Sequence, residues 1–296
     1  MNQLLDSALA HAARGWRVFP LAPGDKVPPA RLTDWQSRAT TDPERIRRAW
    51  THAPYNIGVA CGPSRLVVID LDTPKPGEPP PPEHWRLSGV CDGGDVLAVL
   101  AERAGQPLPV DTYAVRTGRG GLHLYFLHPE SGPQLRNTQG DQSGGLGWKV
   151  DTRAHGGQVV AAGSTVNRRR YRVVHDVDPA PLPGWLAQAL APAPLPAQEP
   201  VTIDLADGRA TAYVRAAVDA QVRAVLDSLP GARNAAVYRS AVALGQLAAG
   251  GALTHDQVIA ALTPAALAVG QTPRETARTI ASGLKTGARR PRAVAA

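Results

Sequence analysis

Leu66-Val67-Val68-Ile69-Asp70-Leu71-Asp72 is the stretch that decides the fold of this 296-residue chain. It is short, rich in β-branched residues, and bounded by Gly62-Pro63-Ser64 and Pro74, so it reads as a buried strand. Side chains alternate along a strand, which puts Asp70 and Asp72 on one face and Ile69 and Leu71 on the other. Two residues along a strand are about 6.5–7 Å apart at the backbone. Carboxylates at that spacing can converge on a pair of divalent ions about 3.5–4 Å apart, the arrangement used for phosphoryl and nucleotidyl transfer. The same pattern also fits a strand that simply ends in a polar loop, with Asp72 capping the turn before Pro74.

Outward from this strand the chain alternates helical and extended patterns. Leu4, Leu5, Ala8, Leu9 and Ala12 make one apolar helical face that stops at Gly15. Residues 16–21 and 56–60 read as strands, and Thr41-Asp42-Pro43-Glu44 as a helix start with a cap and Pro at the first position. Residues 74–82 hold six prolines and no periodicity, an insertion or loop. A short helix at 95–104 precedes strands at 112–117, 122–127, 148–152, 158–162 and 170–174, with a closing helix at 183–190. A Pro-rich linker then leads into Ala-rich helical patterns without strands, punctuated by Pro230-Gly231, Gly250-Gly251, Gly270 and Gly283. The expected organisation is an α/β (α+β) catalytic unit at 1–192, a linker at 193–208 and a small all-α domain at 209–290.

Hydrophobic residues are 43% of the chain and aromatics 5%, so Ala, Leu and Val must build most of the core. No apolar run approaches the ~18 residues of a membrane span, which excludes an integral helical membrane protein. The start has neither basic n-region nor cleavable apolar stretch, so secretion is not expected. Two cysteines, Cys61 and Cys91, exclude a disulfide framework and a four-cysteine zinc site and fit a reducing cytoplasm. The formal charge of +7 makes polyanionic partners plausible. The excess is uneven: 21 basic against 19 acidic residues up to residue 200, and 11 against 6 beyond it. Only Lys26, Lys75, Lys149 and Lys285 among the 32 basic residues are lysines. Arginine suits phosphate forks, although GC-rich codon usage explains the bias equally well.

Two further stretches carry chemistry. Arg116-Thr-Gly-Arg-Gly-Gly121-Leu-His123-Leu-Tyr125-Phe126 joins a Gly-rich turn, whose backbone N–H groups suit phosphate, to a strand that points His123 away from Leu122, Leu124 and Phe126. His123 is placed to donate to a nucleotide phosphate, or else it is a satisfied core histidine beside a hairpin turn. The stretch is neither a Walker A nor a dinucleotide fingerprint, because it lacks Gly-Lys-Ser/Thr and a strand follows it. In Trp148-Lys149-Val150-Asp151-Thr152-Arg153, strand parity lines Lys149, Asp151 and Arg153 on one face: a third metal carboxylate beside two phosphate-binding cations, or a surface ladder of ion pairs. Ser164 and Arg168-Arg169-Arg170 follow, the arginines as a hairpin tip facing solvent or a template.

In order, these motifs resemble the bifunctional primase–polymerase (prim-pol) domain of the archaeo-eukaryotic primase superfamily. The likeness begins at Ala10-His-Ala-Ala-Arg-Gly15-Trp16-Arg-Val-Phe-Pro20, passes through Thr40-Thr-Asp-Pro43 and Asn56-Ile-Gly-Val59, and covers roughly residues 4–190. Gly231-Ala-Arg-Asn234, Tyr238-Arg-Ser-Ala-Val-Ala-Leu-Gly245 and Ser282-Gly-Leu-Lys-Thr-Gly287 resemble the helical domain that follows many such units. The resemblance implies an RNA-recognition-like sheet, Mg2+ or Mn2+ held by Asp70, Asp72 and Asp151, and His123 on the incoming triphosphate. Lys149, Arg153 and Ser164 become candidate nucleotide contacts. Relatives often show Pro-Pro-Ser where this chain has Ala162-Gly163-Ser164. Two cysteines with His84 do not make the zinc-binding stem of some relatives, so no structural zinc is expected. Without a Walker A sequence no fused helicase is expected, and unwinding is expected to fall to a separate protein.

The expected function is template-directed synthesis or extension of primers on single-stranded DNA from nucleoside triphosphates, in replication, including that of a plasmid or phage. A replication initiator that binds nucleic acid without catalysis is the alternative. A nuclease or phosphatase built on the same carboxylates is a third reading.

Overall fold

The computed structural model describes residues 2–142, 144–192, 201–204, 209–229 and 232–295. The chain divides into two units, Met1–Pro194 and Leu195–Ala296. The first opens with α1 (Gln3–Ala13), where Asn2 accepts from the Leu5 N–H and Gly15 at φ +80 follows the last turn. Then come β1 (Val18–Leu21), the single turn α2 (Trp35–Arg38) and α3 (Pro43–His52), whose Asp42 cap accepts from the Glu44 and Arg45 N–H groups. After β2 (Asn56–Ala60) and β3 (Leu66–Leu71), α4 (Gly93–Arg103) starts two residues earlier than its apolar pattern. The reason is a capping box closed by Asp92 and Asp95.

Strands β4 (Tyr113–Arg116), β5 (Leu122–Leu127), β6 (Val150–Arg153) and β7 (Gln158–Val160) follow, then β8 (Thr165–Val166), β9 (Arg169–Arg170), β10 (Arg172–His175), β11 (Ala180–Pro181) and α5 (Gly184–Leu190). They form a small sheet in the order β1-β2-β7 and a larger one in the order β10-β4-β5-β3-β6, with β11 pairing in parallel with the end of β5. The ladders of the larger sheet's main path are antiparallel. β3 and β5 are central, which explains why both read as nearly continuous apolar runs.

One face of the larger sheet, with Val67, Ile69, Leu71, Leu124 and Phe126, packs against Val96 and Leu97 of α4 and Leu186 and Leu190 of α5. Burying each such side chain stabilises by about 1.5–3 kcal/mol. The other face carries Leu66, Val68, Tyr113 and Tyr125 into a second core with α1, α3 and the small sheet. There Trp16 stacks on Tyr125 at 5.2 Å and meets Tyr113 edge-on at 5.0 Å. This second face continues into the acidic residues.

The second unit holds α6 (Arg209–Leu226), α7 (Arg233–Ala249), α8 (His255–Ala268) and α9 (Pro273–Gly287) around Val237, Leu244, Val258, Leu262, Ile280 and Leu284. Two expectations need correction here. Gly283 does not stop a helix: it lies inside α9, where a Cβ would strike Ala241 of α7, so its smallness permits close helix packing. Strands also do not vanish after residue 209, because β13 (Arg292–Ala295) pairs in parallel with β12 (Val201–Asp204). Four residues of the expected linker are therefore a strand. The rest of that linker, and the Pro230-Gly231 stop, lie outside the described residues. Among the described residues no helix is long and apolar enough to cross a membrane.

Candidate active site

Strand pairing assembles the site. In the antiparallel register Asp70 of β3 lies directly opposite His123 of β5 on one side and Asp151 of β6 on the other. Residues opposed in this way share a sheet face with Cβ atoms about 4.5–5.5 Å apart. Three residues far apart in sequence thus form one row. The His123 Nε2 is 3.4 Å from the Asp70 Oδ1, with side-chain exposures of only 6% and 16%. The His123 Nδ1 is buried without a hydrogen-bond partner among the described residues.

Asp72 stands just past the end of β3, and its backbone is held on both sides. Its N–H donates to the Lys149 carbonyl at 2.9 Å, and its carbonyl accepts from the Gly93 N–H at 3.0 Å. Both neighbours need glycine nearby. A Cβ on Gly93 would strike the Lys149 carbonyl, and one on Gly121 would strike that of Leu71. The Gly-rich turn is therefore pressed against the end of β3, and the Thr73 hydroxyl donates to the Arg119 carbonyl at 3.2 Å.

Asp151 is already engaged. Its Oδ1 accepts from the Gly140 N–H at 2.9 Å and its Oδ2 from Arg153 at 2.7 Å. Gly140, in the loop before β6, is a partner that sequence reading missed. Lys149 is not part of the strand, contrary to the parity expectation. It sits in a turn at φ +62, with β6 beginning at Val150. Its Nζ still reaches inward and pairs with Glu78 at 2.5 Å.

Ser164 is fully buried, and its hydroxyl accepts from the Ile57 N–H at 2.9 Å, which ties β2 to the loop after β7. Arg168, Arg169 and Arg170 are exposed around the β8–β9 turn, where Asn167 and Arg168 have positive φ. Arg170 also lines a cavity of about 370 Å³ with Arg14, Tyr113, Tyr171 and Arg172. Tyr171 was not anticipated; its ring lies 5.9 Å from that of His123.

The electrostatics follow from crowding. Burial would raise the Asp70 carboxyl, but the charge and hydrogen bond of His123, with Arg153 and Lys26, hold it below the usual range. Burial pushes Asp72 up, and the charges of Asp70 and Asp151 add to that against Lys149 and Lys75. Burial likewise raises Asp151, assisted by Asp70 and opposed by Arg153 and the Gly140 N–H. Burial, with Asp70 and Asp72 nearby, pushes the Tyr171 phenol up to about 12. A hydrogen bond from Lys149 holds the Glu78 carboxyl down at about 2.

Three carboxylates on one face are a hard oxygen donor set of the kind that suits Mg2+ or Mn2+. Among the described residues no three His, Cys, Asp or Glu side chains converge on one point as they stand. Asp70 contacts His123, and Asp151 contacts Arg153 and Gly140.

The fold is thus a mixed α+β unit with an acidic row on an antiparallel sheet. The model of the family described as "Bifunctional DNA primase/polymerase, N-terminal" (Prim-Pol) matches residues 8–185, and the chain belongs to that family. A DNA primase/polymerase-type function follows from that membership, with DNA and nucleotides as the implied substrates. No curated protein matches the chain.

Proposed function

We propose that the protein is a template-directed nucleotidyltransferase that makes or extends primers on single-stranded DNA. The observation that carries this reading is Asp70 flanked in register by His123 and Asp151, with Asp72 at the strand end. Asp70, Asp72 and Asp151 would hold Mg2+ or Mn2+, which when bound lowers the pKa of the attacking hydroxyl and neutralises the leaving group. His123 faces this row and donates to the triphosphate. Lys149 and Arg153 offset phosphate charge, and Arg153 must release Asp151 for that carboxylate to bind a cation. The primer 3′-hydroxyl, or the hydroxyl of a first nucleotide, attacks the α-phosphorus, and pyrophosphate leaves.

The test is primer synthesis and extension on single-stranded DNA with Mg2+ or Mn2+, comparing the native chain with Asp70→Ala and Asp72→Ala. Loss of synthesis in both variants is expected; undiminished synthesis would refute the metal assignment. A catalytically silent initiator would bind DNA without releasing pyrophosphate, and a nuclease would shorten the strands. Unwinding belongs to a separate helicase in this reading. The second unit, with its basic excess, supports initiation by holding the template or first nucleotide. Deleting residues 201–296 should weaken initiation more than extension of a supplied primer, and equal loss of both would refute that role.

A further inference from the structure

Lysine is scarce in this chain, yet three of the four lysines act on the carboxylate row: Lys26 on Asp70, and Lys75 and Lys149 on Asp72. Two of these three converge on a single carboxylate. The Lys149 Nζ donates to the Glu78 Oε2, and the Lys75 backbone N–H donates to the same oxygen at 2.8 Å. The Lys75 Nζ lies 3.6 Å from the Glu78 Oε1. Two ammonium groups and one backbone N–H thus form a cradle around an anion. Its Lys149 side chain is 16% exposed and its Glu78 side chain 27%.

The position of the cradle gives it meaning. The Lys149 carbonyl accepts from the Asp72 N–H, so the backbone that carries the ammonium also fixes the carboxylate row. Glu78, by contrast, sits in the proline-rich segment 74–82, which contributes no strand or helix. Arg86 anchors its far end by donating to the Pro81 carbonyl at 3.0 Å. Lys149, beside the carboxylate row, and Lys75, on the same proline-rich segment as Glu78, thus share one carboxylate.

We propose that Glu78 is an internal occupant of a phosphate site. Lys75 and Lys149 bind the terminal phosphates of the incoming nucleoside triphosphate, which displaces the Glu78 carboxylate and opens the local turn that Glu78 closes onto Lys75. This rests on the nucleotidyltransfer reading for the identity of the ligand, but not for the existence of an anion site. A polyphosphate carries several negative charges where Glu78 carries one, so two ammonium groups favour the exchange. Lysine suits this role because its compact charge follows a moving phosphate without a fixed fork geometry. The Glu78 contact lowers apparent affinity, as does any equilibrium that leaves only part of the protein competent to bind.

The test uses the full chain and inorganic tripolyphosphate in EDTA, read by calorimetry, so that metal binding and catalysis play no part. Glu78→Gln should bind tripolyphosphate roughly 3- to 10-fold tighter than the native chain. Lys75→Gln and Lys149→Gln should bind it more weakly, and Glu78→Gln should give no gain on a Lys75→Gln background. Hydrogen exchange of the amide at position 78, which donates to the Lys75 carbonyl at 3.1 Å, should rise when tripolyphosphate is added to the native chain and be high from the start in Glu78→Gln. Unchanged affinity in a Glu78→Gln protein of native melting temperature, or greater protection of the amide at position 78 on binding, overturns the proposal. If Glu78→Gln binds tighter while no form makes primers, the cradle stands and the polymerase reading fails. If primers are made but Glu78→Gln binds as the native chain does, the cradle alone fails.

Discussion

Asp151→Asn replaces one atom of the acidic row and tests whether that row is there for folding or for chemistry. The asparagine can still accept from the Gly140 N–H, but its amide faces the Arg153 guanidinium that the carboxylate now meets at 2.7 Å. Exposed ion pairs are worth about 0.2–1 kcal/mol, and hydrogen bonds to charged groups about 1.5–3 kcal/mol. With side-chain exposures of 14% and 34%, this pair lies between them, at about 1.5 kcal/mol. Against that loss, the variant removes a like charge directly opposite Asp70, a relief of about 0.2–1 kcal/mol. The net destabilisation is about 0.5–1.3 kcal/mol, a fall in Tm of about 1–5 °C for a unit of this size. Primer synthesis should fall far more, by about 10³-fold, the usual cost of removing one transition-state stabiliser. Thermal melting and primer extension with Mn2+, both well below the melting temperature, read the two effects separately. A loss of activity under tenfold in a folded variant would show that Asp151 is a structural acid, and the reasoning would fail.

Gly93→Ala should destabilise by about 2–3 kcal/mol, because its Cβ has no room beside the Lys149 carbonyl, and melting temperature measures it. It should also impair synthesis by shifting Asp72, whereas Gly184→Ala, with open space around it, should do neither. His11 is buried, and its Nε2 lies 2.9 Å from the Ala162 carbonyl oxygen. Burial holds its pKa below 6.5, so below that pH the unfolded chain binds a proton that the folded chain resists. The stability involved is present above pH 6.5 and declines as pH falls from there toward the folded pKa; a His11→Gln variant whose melting profile kept the same slope would contradict this. Cys61 is fully buried and its thiol is pushed up to about 12, whereas Cys91 is exposed. A thiol reagent at pH 8 should therefore count one cysteine in the native chain and two in denaturant.

Strand parity made part of the site legible. Alternation alone placed Asp70 and Asp72 on one face and His123 away from its apolar neighbours, because each residue sits in or beside a strand with a clear apolar pattern. What alternation cannot give is strand order. That β5 and β6 flank β3, and that the register sets His123 and Asp151 opposite Asp70, depends on pairings more than 50 residues apart in sequence. Lys149 misled for a local reason: its carbonyl turns to the Asp72 N–H, so the chain enters β6 two residues later through a left-handed turn.

Another misreading had a usable signal. The apolar spacing of Ile280 and Leu284 runs straight through Gly283, and Gly287 four residues on shares its helix face, which marks a contact stripe and not a stop. By contrast, β13 and β12 are four-residue strands some 90 residues apart, and neither alternates strongly enough to announce a partner. The lysine pattern was visible in composition, but not its meaning. Arginine bias concealed that the few lysines gather around one acidic row.

That gathering bears on how the free protein tolerates its own site. Carboxylates facing each other across strands repel, and burial adds a desolvation cost. Nothing in a stable fold requires Asp70, Asp72 and Asp151 to share a face, so each must be compensated locally. His123 serves Asp70, Arg153 and the Gly140 N–H serve Asp151, and Lys75 and Lys149 act on Asp72. Glu78 in turn balances those two lysines. Each of these cations thus already faces an anion: a polyphosphate would take the place of the anion, and a divalent ion that of the cation. Substrate binding is then an exchange of partners with small changes in net charge, and not an addition of charge to an empty cleft. On that argument, removing an internal partner on the basic side, such as Glu78, should raise affinity for polyphosphate. Removing one on the acidic side, such as Arg153, should raise affinity for divalent cations. Calorimetric titration of Mn2+ into Arg153→Gln is expected to show tighter binding than in the native chain, and weaker binding would mean that Arg153 positions Asp151 for the ion instead of competing with it.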